Sequence, residues 1–536
     1  MKKTFIIFSL ISILGLSLFS FKSIKNDFFE IAKQIEIFTN LYKEINMNYV
    51  DEVNPAELMD TAITAMLADL DPYTVYYNEQ EVQNGKLNYA ANFSGIGIQV
   101  DVFSDQLLVK SVKKNSPANQ SGLQIGDEII QINQVRIDQY QDDAGTLLKG
   151  KPGSKVKLTI KRNNSTKTLK ITRERDKKVA VPFYQLTGQT GYIVLSQFSR
   201  SASAEVIEAF ADLKEQGATS IILDLRNNPG GLLSEAINIV NIFVEKGTTI
   251  VTTKSIIEKY NRTYVTQNRA LDTQIPVAVL INSSSASASE IVSGSLQDLD
   301  RGVIIGHRSF GKGLVQRPKP LNYGTQAKIT ISRYYTPSGR SIQALDYIDG
   351  EAVRKTEDTY QKFTTKNGRD VFSGGGVMPD VLLNQDQQSA FVKDLVNKNQ
   401  IFNFILKQSK AEMSLDEIAQ INLMKDFKSY LNDTDFNYQT KTEVQLQQLK
   451  TSAENEVILK QINRQIKDLE DQLASIEDDL LQQSAEAIEL LLHQELVKHQ
   501  YFEEGVYQYH VKYGETVKTA VDLLNNTKKY QSTLKP

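Results

Sequence analysis

The residues with the clearest chemical potential form a serine-rich run, Ser283–Glu290, which follows the apolar stretch Val277–Ile281. That stretch is β-branched and lies between Pro276 and Asn282, which predicts a buried strand. Apolar residues at helical spacing follow the serines, so the run predicts a strand that opens into a helix. Such a turn exposes a side chain beside the free N–H groups and positive dipole of a helix N-terminus, which stabilise an oxyanion. Taken alone, these residues favour an ordinary serine-rich N-cap over a nucleophile.

A serine nucleophile needs a base, and the chain offers few. It contains no cysteine, which excludes thiol chemistry, and only four histidines. Three of them lie in a C-terminal region that is helical and charged by pattern, away from any segment with catalytic character: His493, His499 and His510. A Ser-His-Asp triad would have to use His307, which has no supporting signature nearby, so we interpret His307 as non-catalytic.

Lys312 is the better candidate for the base. Gly311 and Gly313 allow close backbone packing around it, and apolar neighbours could desolvate its amine: Phe310, Leu314 and Val315. A lysine starts near pKa ~10.4 and must fall by a few units to act as a base at neutral pH, which costs roughly 3–5 kcal/mol and lies within the reach of burial. Gln316 lies four residues on and shares a face with Lys312 on a strand or a helix, so its amide oxygen could orient the amine.

Four ordered motifs together resemble the carboxy-terminal processing proteases, which are S41 serine peptidases. They are Asp-Leu-Arg-Asn-Asn-Pro-Gly-Gly at 224–231, Ser-Ala-Ser-Ala-Ser-Glu at 285–290, Gly-Lys-Gly-Leu-Val-Gln at 311–316 and Tyr-Thr-Pro-Ser-Gly-Arg-Ser-Ile-Gln at 335–343. The resemblance covers roughly residues 30–385. It implies that Ser287 is the nucleophile, Lys312 the base and Gln316 the residue that orients the base.

The resemblance also implies an oxyanion hole and no cofactor. In that oxyanion hole, the N–H of either Gly230 or Gly231 would bind the oxyanion together with the N–H of Ala288. Asp224 and Arg226 are expected to hold this turn in place and not to touch the substrate. No metal or cofactor is called for.

Length and charge set the outer bounds. The chain has 536 residues, which predicts more than one domain. The net charge is 61 − 64 = −3, so neither nucleic acid nor an anionic surface is implied as a partner. The absence of cysteine rules out disulfides and lipoprotein anchoring.

The N-terminus has the pattern of an export signal. Met1-Lys2-Lys3 precedes a mostly apolar run from Phe5 to Phe21, which is typical of a signal peptide. An Ala-x-Ala cleavage site is missing, so a signal anchor retained in the inner membrane stays open beside a cleaved signal. Either way, we expect the chain to be exported to the periplasm or cell envelope.

The pattern along the chain divides it into five segments: a signal or anchor at 1–25, a helical segment at 26–82, a PDZ domain at 83–175, the protease core at 176–384 and a helical domain at 385–536. In the helical segment, apolar residues from Phe28 to Ile45 form one stripe and Pro55 opens a second helix. In the core, alternating strands and helices predict an α/β fold, and the family resemblance implies the crotonase/ClpP-like class.

The PDZ interpretation depends on Gly95, Ile96, Gly97 and Ile98, which resemble a carboxylate-binding loop. In such a loop successive backbone N–H groups converge on a terminal carboxylate, while the strand edge pairs with an extended peptide. A lone Gly-x-Gly is a weak signal, but Gly-Asp-Glu-Ile-Ile at 126–130 continues the resemblance. The predicted partners are therefore the C-termini of protein or peptide substrates.

The last segment carries a heptad pattern and no chemistry. Its apolar positions recur at steps of three and four: Leu459, Ile462, Ile466, Leu469, Leu473, Ile476 and Leu480. This seam is compatible with a coiled-coil arm, with a homo-oligomer contact, or with a helix packed on the enzyme.

The sequence therefore predicts an exported serine endopeptidase with a Ser-Lys dyad, whose PDZ domain captures a substrate's C-terminus and whose core cleaves near that end. Two rival interpretations are a non-catalytic relative that only binds C-termini or apolar ligands, and an envelope scaffold built on the PDZ domain and the heptad seam. Fluorophosphonate labelling separates both from an active enzyme.

Overall fold

The computed structural model describes residues 22–83, 94–103, 106–139, 144–175, 179–348, 351–383, 389–408, 411–434, 436–473 and 476–536. The chain divides into two units, residues 1–76 and 77–536. Most of the predicted export segment, residues 1–21, lies outside the described part of the chain. Across the ranges given above, no helix combines the length and apolar character that a membrane span requires.

The first unit contains both helices that the sequence predicts, α1 (Lys22–Asn48) and α2 (Pro55–Ala68). Asn54 caps α2 because its side chain accepts the N–H of Ala56 at 3.1 Å, and Pro55 takes the first helical position. The Tyr42 hydroxyl donates to the Pro55 carbonyl at 2.7 Å. No residue of α2 is buried, and Phe28 in the stripe of α1 is 71% exposed. Packing between the two helices is therefore slight.

The second unit begins with a β-rich domain that has its own apolar core. Its main antiparallel sheet has the order β3-β4-β5-β7-β8, with β6 beside β5, and β2 pairs with β9. Strand β1 (Val75–Tyr77) lies at the boundary of the two units and outside this domain. The elements of the domain are β2 (Ser94–Gly95), β3 (Ile98–Phe103), β4 (Gln106–Val112), α3 (Pro117–Gln120), β5 (Glu128–Ile132), β6 (Val135–Arg136), β7 (Lys155–Arg162), β8 (Ser165–Thr172) and β9 (Glu174–Arg175).

The centre of the second unit is a six-stranded sheet of order β10-β11-β12-β15-β16-β23, in which only β10 runs antiparallel. Every residue of β11, β12, β15 and β16 is buried, as is typical of parallel strands covered on both faces. The elements are β10 (Phe183–Thr187), β11 (Thr190–Val194), α4 (Ala202–Glu215), β12 (Ser220–Asp224), α5 (Leu233–Phe243), β13 (Thr249–Lys254), β14 (Arg262–Val265), β15 (Val277–Ile281), α6 (Ala288–Asp298) and β16 (Val303–Gly306).

A second antiparallel sheet joins β14, β13, β18 (Gln326–Tyr335) and β17 (Leu314–Pro320) in that order. The predicted Lys312 segment directly precedes β17, and the Tyr-Thr-Pro motif begins at the last residue of β18. The remaining strands of the core are β17 (Leu314–Pro320), β18 (Gln326–Tyr335), β19 (Leu345–Ile348), β20 (Glu351–Arg354), β21 (Lys362–Thr364), β22 (Asp370–Phe372) and β23 (Val381–Leu382).

Helices predominate in the described residues from 389 to 536, and the last of them complete the core. On one face of the parallel sheet lie α4, α5 and α6. On the other face, Val517, Ala520 and Leu523 pack against strand residues such as Ile222 and Leu280. The helices are α7 (Ala390–Asn397), α8 (Gln400–Lys407), α9 (Leu415–Gln420), α10 (Met424–Asn432), α11 (Lys441–Asn455), α12 (Leu459–Leu473), α13 (Ile476–Gln483), α14 (Ala485–Tyr513), α15 (Glu515–Asn525) and α16 (Thr527–Thr533).

The described residues of the predicted heptad seam lie in α12 (Leu459–Leu473) and α13 (Ile476–Gln483), and residues 474–475 between them lie outside the described part of the chain. Within α12 only Ile466 is buried, while Leu469 is 46% exposed. Lys450 of α11 pairs with Glu470 at 2.9 Å, so α12 lies against its neighbour in sequence. A coiled-coil arm and an oligomer contact stay predictions.

Candidate active site

Ser287 lies on the turn between β15 and α6, as the sequence predicts, with φ 55° and ψ −110°. A residue with a Cβ rarely adopts this conformation, and such strain persists only where the surroundings impose it. The serines two positions before and after it are buried, and their hydroxyls are already hydrogen-bonded. The Ser285 hydroxyl donates to the Leu225 carbonyl at 2.8 Å, and the Ser289 hydroxyl donates to the Asn228 carbonyl at 2.9 Å. Ser287 is only half-buried, so it is the serine of the three that a substrate can reach.

The Gly311–Gly313 segment is fixed through its amides. The N–H groups of Gly311 and Lys312 donate to the two carboxylate oxygens of Glu290, at 2.7 and 2.9 Å. The N–H of Gly313 donates to Oε1 of Gln343 at 2.7 Å. A Cβ at Gly313 would lie 2.8 Å from the backbone nitrogen of Gln343. The predicted close packing around the lysine is therefore confirmed, and it is why glycine is needed here.

The carbonyls of the same segment are fixed as well. The Gly311 carbonyl accepts the N–H of Ala344 at 2.9 Å, and the Gly313 carbonyl accepts the N–H of Tyr334 at 3.0 Å. The Lys312 carbonyl accepts the hydroxyl of Tyr334 at 2.6 Å. All six backbone polar groups of the segment thus have partners, and Tyr334 supplies two of them.

Glu290 joins the serine turn to the lysine segment. Its side chain is fully buried. Its Oε1 accepts the Ser309 hydroxyl at 2.5 Å as well as the Gly311 N–H, and its Oε2 accepts the N–H of Ser287 at 2.8 Å as well as that of Lys312. Burial raises the pKa of Glu290 above its usual value, and these four hydrogen bonds oppose that rise. Because all four partners donate, both side-chain oxygens of Glu290 must act as acceptors, and this is the arrangement that suits an ionised carboxylate.

Lys312 itself is half-buried, and Leu314 beside it is buried. Phe310 is 38% exposed, so it contributes less to desolvating the amine than the sequence suggests. Gln316 lies on β17 opposite Thr330 and donates from its amide nitrogen to the Thr330 hydroxyl at 3.2 Å. That bond orients the Gln316 amide group, while its predicted action on Lys312 stays a prediction.

The turn after β12 lies directly against Ser287. A Cβ at Gly230 would lie 2.8 Å from the Ala286 carbonyl oxygen and 2.9 Å from the Ser287 Cβ, and Gly230 has φ 102°. Only glycine fits there. The N–H of Gly230 donates to Oδ1 of Asn228 at 2.9 Å, so that group is already engaged. Gly231, which is exposed, therefore becomes the glycine of choice for the predicted oxyanion hole with Ala288.

Asp224 and Arg226 pair beneath this turn. Nη2 of Arg226 lies 2.6 Å from Oδ2 of Asp224, and that oxygen also accepts the Tyr192 hydroxyl at 2.6 Å. Burial opposes ionisation of Asp224, but the charge and hydrogen bonds of Arg226 outweigh it and lower the pKa of the carboxyl. The N–H of Arg226 also donates to Oδ1 of Asp224 at 2.9 Å, so the pair holds the start of the turn, while its predicted lack of contact with the substrate stays a prediction.

One histidine is closer to the site than the sequence suggests. Burial, with a smaller contribution from the charge of Arg226, lowers the pKa of His510 to about 3, and Asp224 opposes that shift. Helix α14 therefore brings His510 beside the Asp224–Arg226 pair, and the expectation that the C-terminal histidines lie away from the core is wrong for this residue. His493 and His499 bond within the helical domain, to Tyr509 and Glu495.

The predicted carboxylate loop lies at one edge of the β-rich domain. Gly95 ends β2, Gly97 has φ 82°, and Ile98 begins β3. Ile96 is buried in the domain core, so it could serve a ligand only through its backbone. Strand β3 is the first in its sheet order and pairs with β4 on one side; among the strands that the structure describes, none covers its other edge.

Sequence reasoning missed three residues that position the site. Glu290 had a signal, because Ser-x-x-Glu before an apolar run is a capping-box pattern. Gln343 lies in a motif that the sequence singles out, yet its role as acceptor for Gly313 is visible only in the fold. Tyr334 precedes that motif, and no local pattern marks it.

Four family models match the chain. Residues 189–350 match "Peptidase family S41" and residues 94–172 match "PDZ domain". Residues 19–81 match "Activating protease CtpB N-terminal domain", and residues 391–524 match "Probable PDZ-protease, C-terminal helical domain".

Two relatives and one solved structure illustrate the similarity. A "Probable CtpA-like serine protease" of Staphylococcus epidermidis is 34% identical over 318 residues, which cover 59% of this chain and 63% of that protein. A protein of the same description from Staphylococcus aureus is 34% identical over 319 residues, covering 59% of this chain and 62% of its own length. The chain thus spans less than two thirds of these relatives.

The structure of a photosystem II D1 C-terminal processing protease is 25% identical, with a TM-score of 0.38, covering 67% of this chain and 95% of that one. The S41 match contains all four motifs, and the PDZ match contains the Gly95–Ile98 loop. Residues 189–350 are therefore similar to S41 peptidases and residues 94–172 to PDZ domains.

Proposed function

We propose that this protein is a serine endopeptidase in which Ser287 attacks the scissile carbonyl and Lys312 accepts its proton. One observation carries the proposal: a strained, half-buried serine and a half-buried lysine are anchored through their backbones to the same two groups, Glu290 and Tyr334. The turn that carries the exposed Gly231 lies against the N-terminus of α6, where an oxyanion would be stabilised. Water then hydrolyses the acyl-enzyme.

The PDZ domain supports a role in capturing substrate C-termini, followed by cleavage near that end. An extended peptide added to the uncovered edge of β3 would gain backbone hydrogen bonds, and its carboxylate would meet the loop at Gly95–Ile98. The Lys2-Lys3 start and the apolar run to Phe21 support export to the periplasm or cell envelope. A reporter that is active only outside the cytoplasm, fused after residue 25, tests that part; intracellular retention contradicts it.

The catalytic proposal is tested by labelling and turnover. A fluorophosphonate should modify the wild-type protein at Ser287, and an unfolded protein substrate should be cleaved. Ser287→Ala should lose both while it stays folded, because the change is small. Ser285→Ala is the matched control, since that hydroxyl bonds to the Leu225 carbonyl. If the wild-type chain neither labels nor cleaves, the protein is a binding relative of the family.

A further inference from the structure

The lysine segment, residues 311–313, has glycine on both sides of Lys312, so its backbone must be held in place by surrounding groups. Gly311 has φ 92° and Gly313 packs on Gln343, so both positions require glycine. Glycine also loses the most backbone entropy when it is ordered. Lys312 therefore depends on surrounding groups to hold its backbone in one place.

We propose that Tyr334 is a positioning residue of the peptidase site, which sets the distance between Ser287 and Lys312 through its hydroxyl group; this rests on the proposed function. The hydroxyl donates to the Lys312 carbonyl at 2.6 Å and lies 3.2 Å from the Ser287 carbonyl. It is thus a single atom that contacts the backbone of both residues. Glu290 joins the two amides on one side, and Tyr334 joins the two carbonyls on the other.

The strand register explains how Tyr334 reaches this position. Its N–H donates to the Gly313 carbonyl, and its Cα lies opposite Thr253 of β13. The side chain is only 1% exposed and belongs to the main apolar core. A buried hydroxyl needs an acceptor, and the Lys312 carbonyl is the nearer of the two that it contacts. The ring is held by the core, so the hydroxyl presents a fixed point to the lysine segment.

The two carbonyls depend on Tyr334 to different degrees. The Ser287 carbonyl also accepts the N–H groups of Glu290 and Ile291, at 2.9 and 3.0 Å, as the first turn of α6. Removal of the hydroxyl should therefore disturb Lys312 more than Ser287. Without the Tyr334 hydroxyl, the proposed base Lys312 should therefore shift, while the proposed nucleophile Ser287 should stay in place.

Tyr334→Phe removes this contact and keeps the buried ring. We expect kcat for peptide hydrolysis to fall by between about 10- and 100-fold while KM stays within about twofold, because misplaced groups slow the chemical step. The acid limb of the kcat profile should also move to higher pH, since a looser segment hydrates the amine and favours its charged form. Tyr335→Phe is the matched control: it lies next on the strand, on the opposite face, where the Lys254 amine sits 4.7 Å from its ring centroid.

Hydrogen exchange provides a readout that does not require turnover. In Tyr334→Phe, peptides that cover residues 309–316 should exchange faster than in the wild type, those covering 283–290 less so, and β11 should be unchanged. Unaltered exchange at 309–316, or a uniform increase throughout the core, would overturn the proposal, as would wild-type kcat and pH dependence in an active enzyme. If the wild-type chain proves inactive, the peptidase proposal fails, and the exchange data still decide whether Tyr334 positions this segment.

Discussion

The backbone amides of Ser287 and Lys312 converge on a single atom, because Oε2 of Glu290 accepts both, at 2.8 and 2.9 Å. Hydrogen bonds to a carboxylate are shorter and stronger than those between neutral groups. A movement of either residue therefore disturbs the carboxylate oxygen to which the other residue is also hydrogen-bonded. The nucleophile turn and the lysine segment come from separate strand ends, and this carboxylate makes them one structural element.

Glu290→Gln should damage both stability and activity. Glutamine has one acceptor oxygen and one NH₂ group, so two of the four donors that face Glu290 would meet a donor. We expect the free energy of unfolding to fall by about 2–5 kcal/mol and kcat to fall at least ~10-fold. Urea denaturation and peptide turnover provide the measurements.

Glu235→Gln is the matched control for that change. Glu235 is also a buried glutamate in the first turn of a helix, but it accepts the Ser203 N–H and hydroxyl through one oxygen, at 2.9 and 2.6 Å. Glutamine can keep those bonds, so the loss of stability should be smaller and kcat should stay close to that of the wild type. Equal effects of the two substitutions would contradict a special role for Glu290.

Lys312→Arg separates a general base from a cationic anchor. A guanidinium stays protonated in proteins and cannot accept the serine proton. We expect turnover to fall at least ~100-fold, while binding of a C-terminal peptide to the PDZ domain is unchanged. Initial-rate kinetics and fluorescence anisotropy provide the two measurements. Near-normal turnover would reject Lys312 as the base and return attention to His307.

Amidation of a peptide's C-terminus should weaken its binding. If the loop at Gly95–Ile98 receives the carboxylate, the amide loses charge-assisted hydrogen bonds. We expect the Kd of the amide to exceed that of the acid by at least about tenfold, which corresponds to roughly 1.4 kcal/mol. Equal affinity of the two peptides would remove the PDZ loop from carboxylate recognition.

Stability should depend on pH through His510. The folded protein keeps this ring neutral, since burial beside Arg226 lowers its pKa to about 3, while the unfolded chain takes up a proton below about pH 6.5. The unfolded state thus binds more protons as the pH falls through that window, so the wild type loses stability. Between pH 7.5 and 5 we expect a loss of about 1–2 kcal/mol from this residue.

His510→Gln removes that linkage without removing a polar side chain. Urea titrations of both proteins at pH 7.5 and 5 should show a smaller acid loss in the variant. Asp224, whose folded pKa is lowered, also destabilises the fold on acidification, but only at lower pH and equally in both proteins. An identical acid loss in wild type and variant would contradict the assignment.

The parts of the site that local sequence determines were predictable. Strand, serine turn and helix follow one another along the chain, so residues 277–296 alone indicated the turn, while the choice of Ser287 within it depended on the family resemblance. The Gly-Lys-Gly segment was likewise visible, because glycines on both sides of a lysine indicate close packing. The order of the strands within the core sheet, by contrast, depends on pairing between distant segments.

The supporting residues were hidden for the same reason. Tyr334 reaches Lys312 only because β18 pairs with β17 on one side and β13 on the other. His510 reaches Arg226 only because α14 leads into the helices that cover the parallel sheet. The heptad pattern indicated helices but could not show which neighbour α12 packs against, since periodicity measures amphipathic character and names no partner.

The cover that α15 and α16 place on the parallel sheet has a consequence for the timing of maturation. These helices are synthesised after every strand of the sheet, so one apolar face of the sheet stays uncovered until they have been made. At typical rates of synthesis the interval from the end of β23 to the start of α15 is roughly 7–27 s. During that interval the nucleophile turn belongs to an incomplete core. The order of the chain thereby leaves one apolar face of the core sheet without its cover until most of the polypeptide has been made.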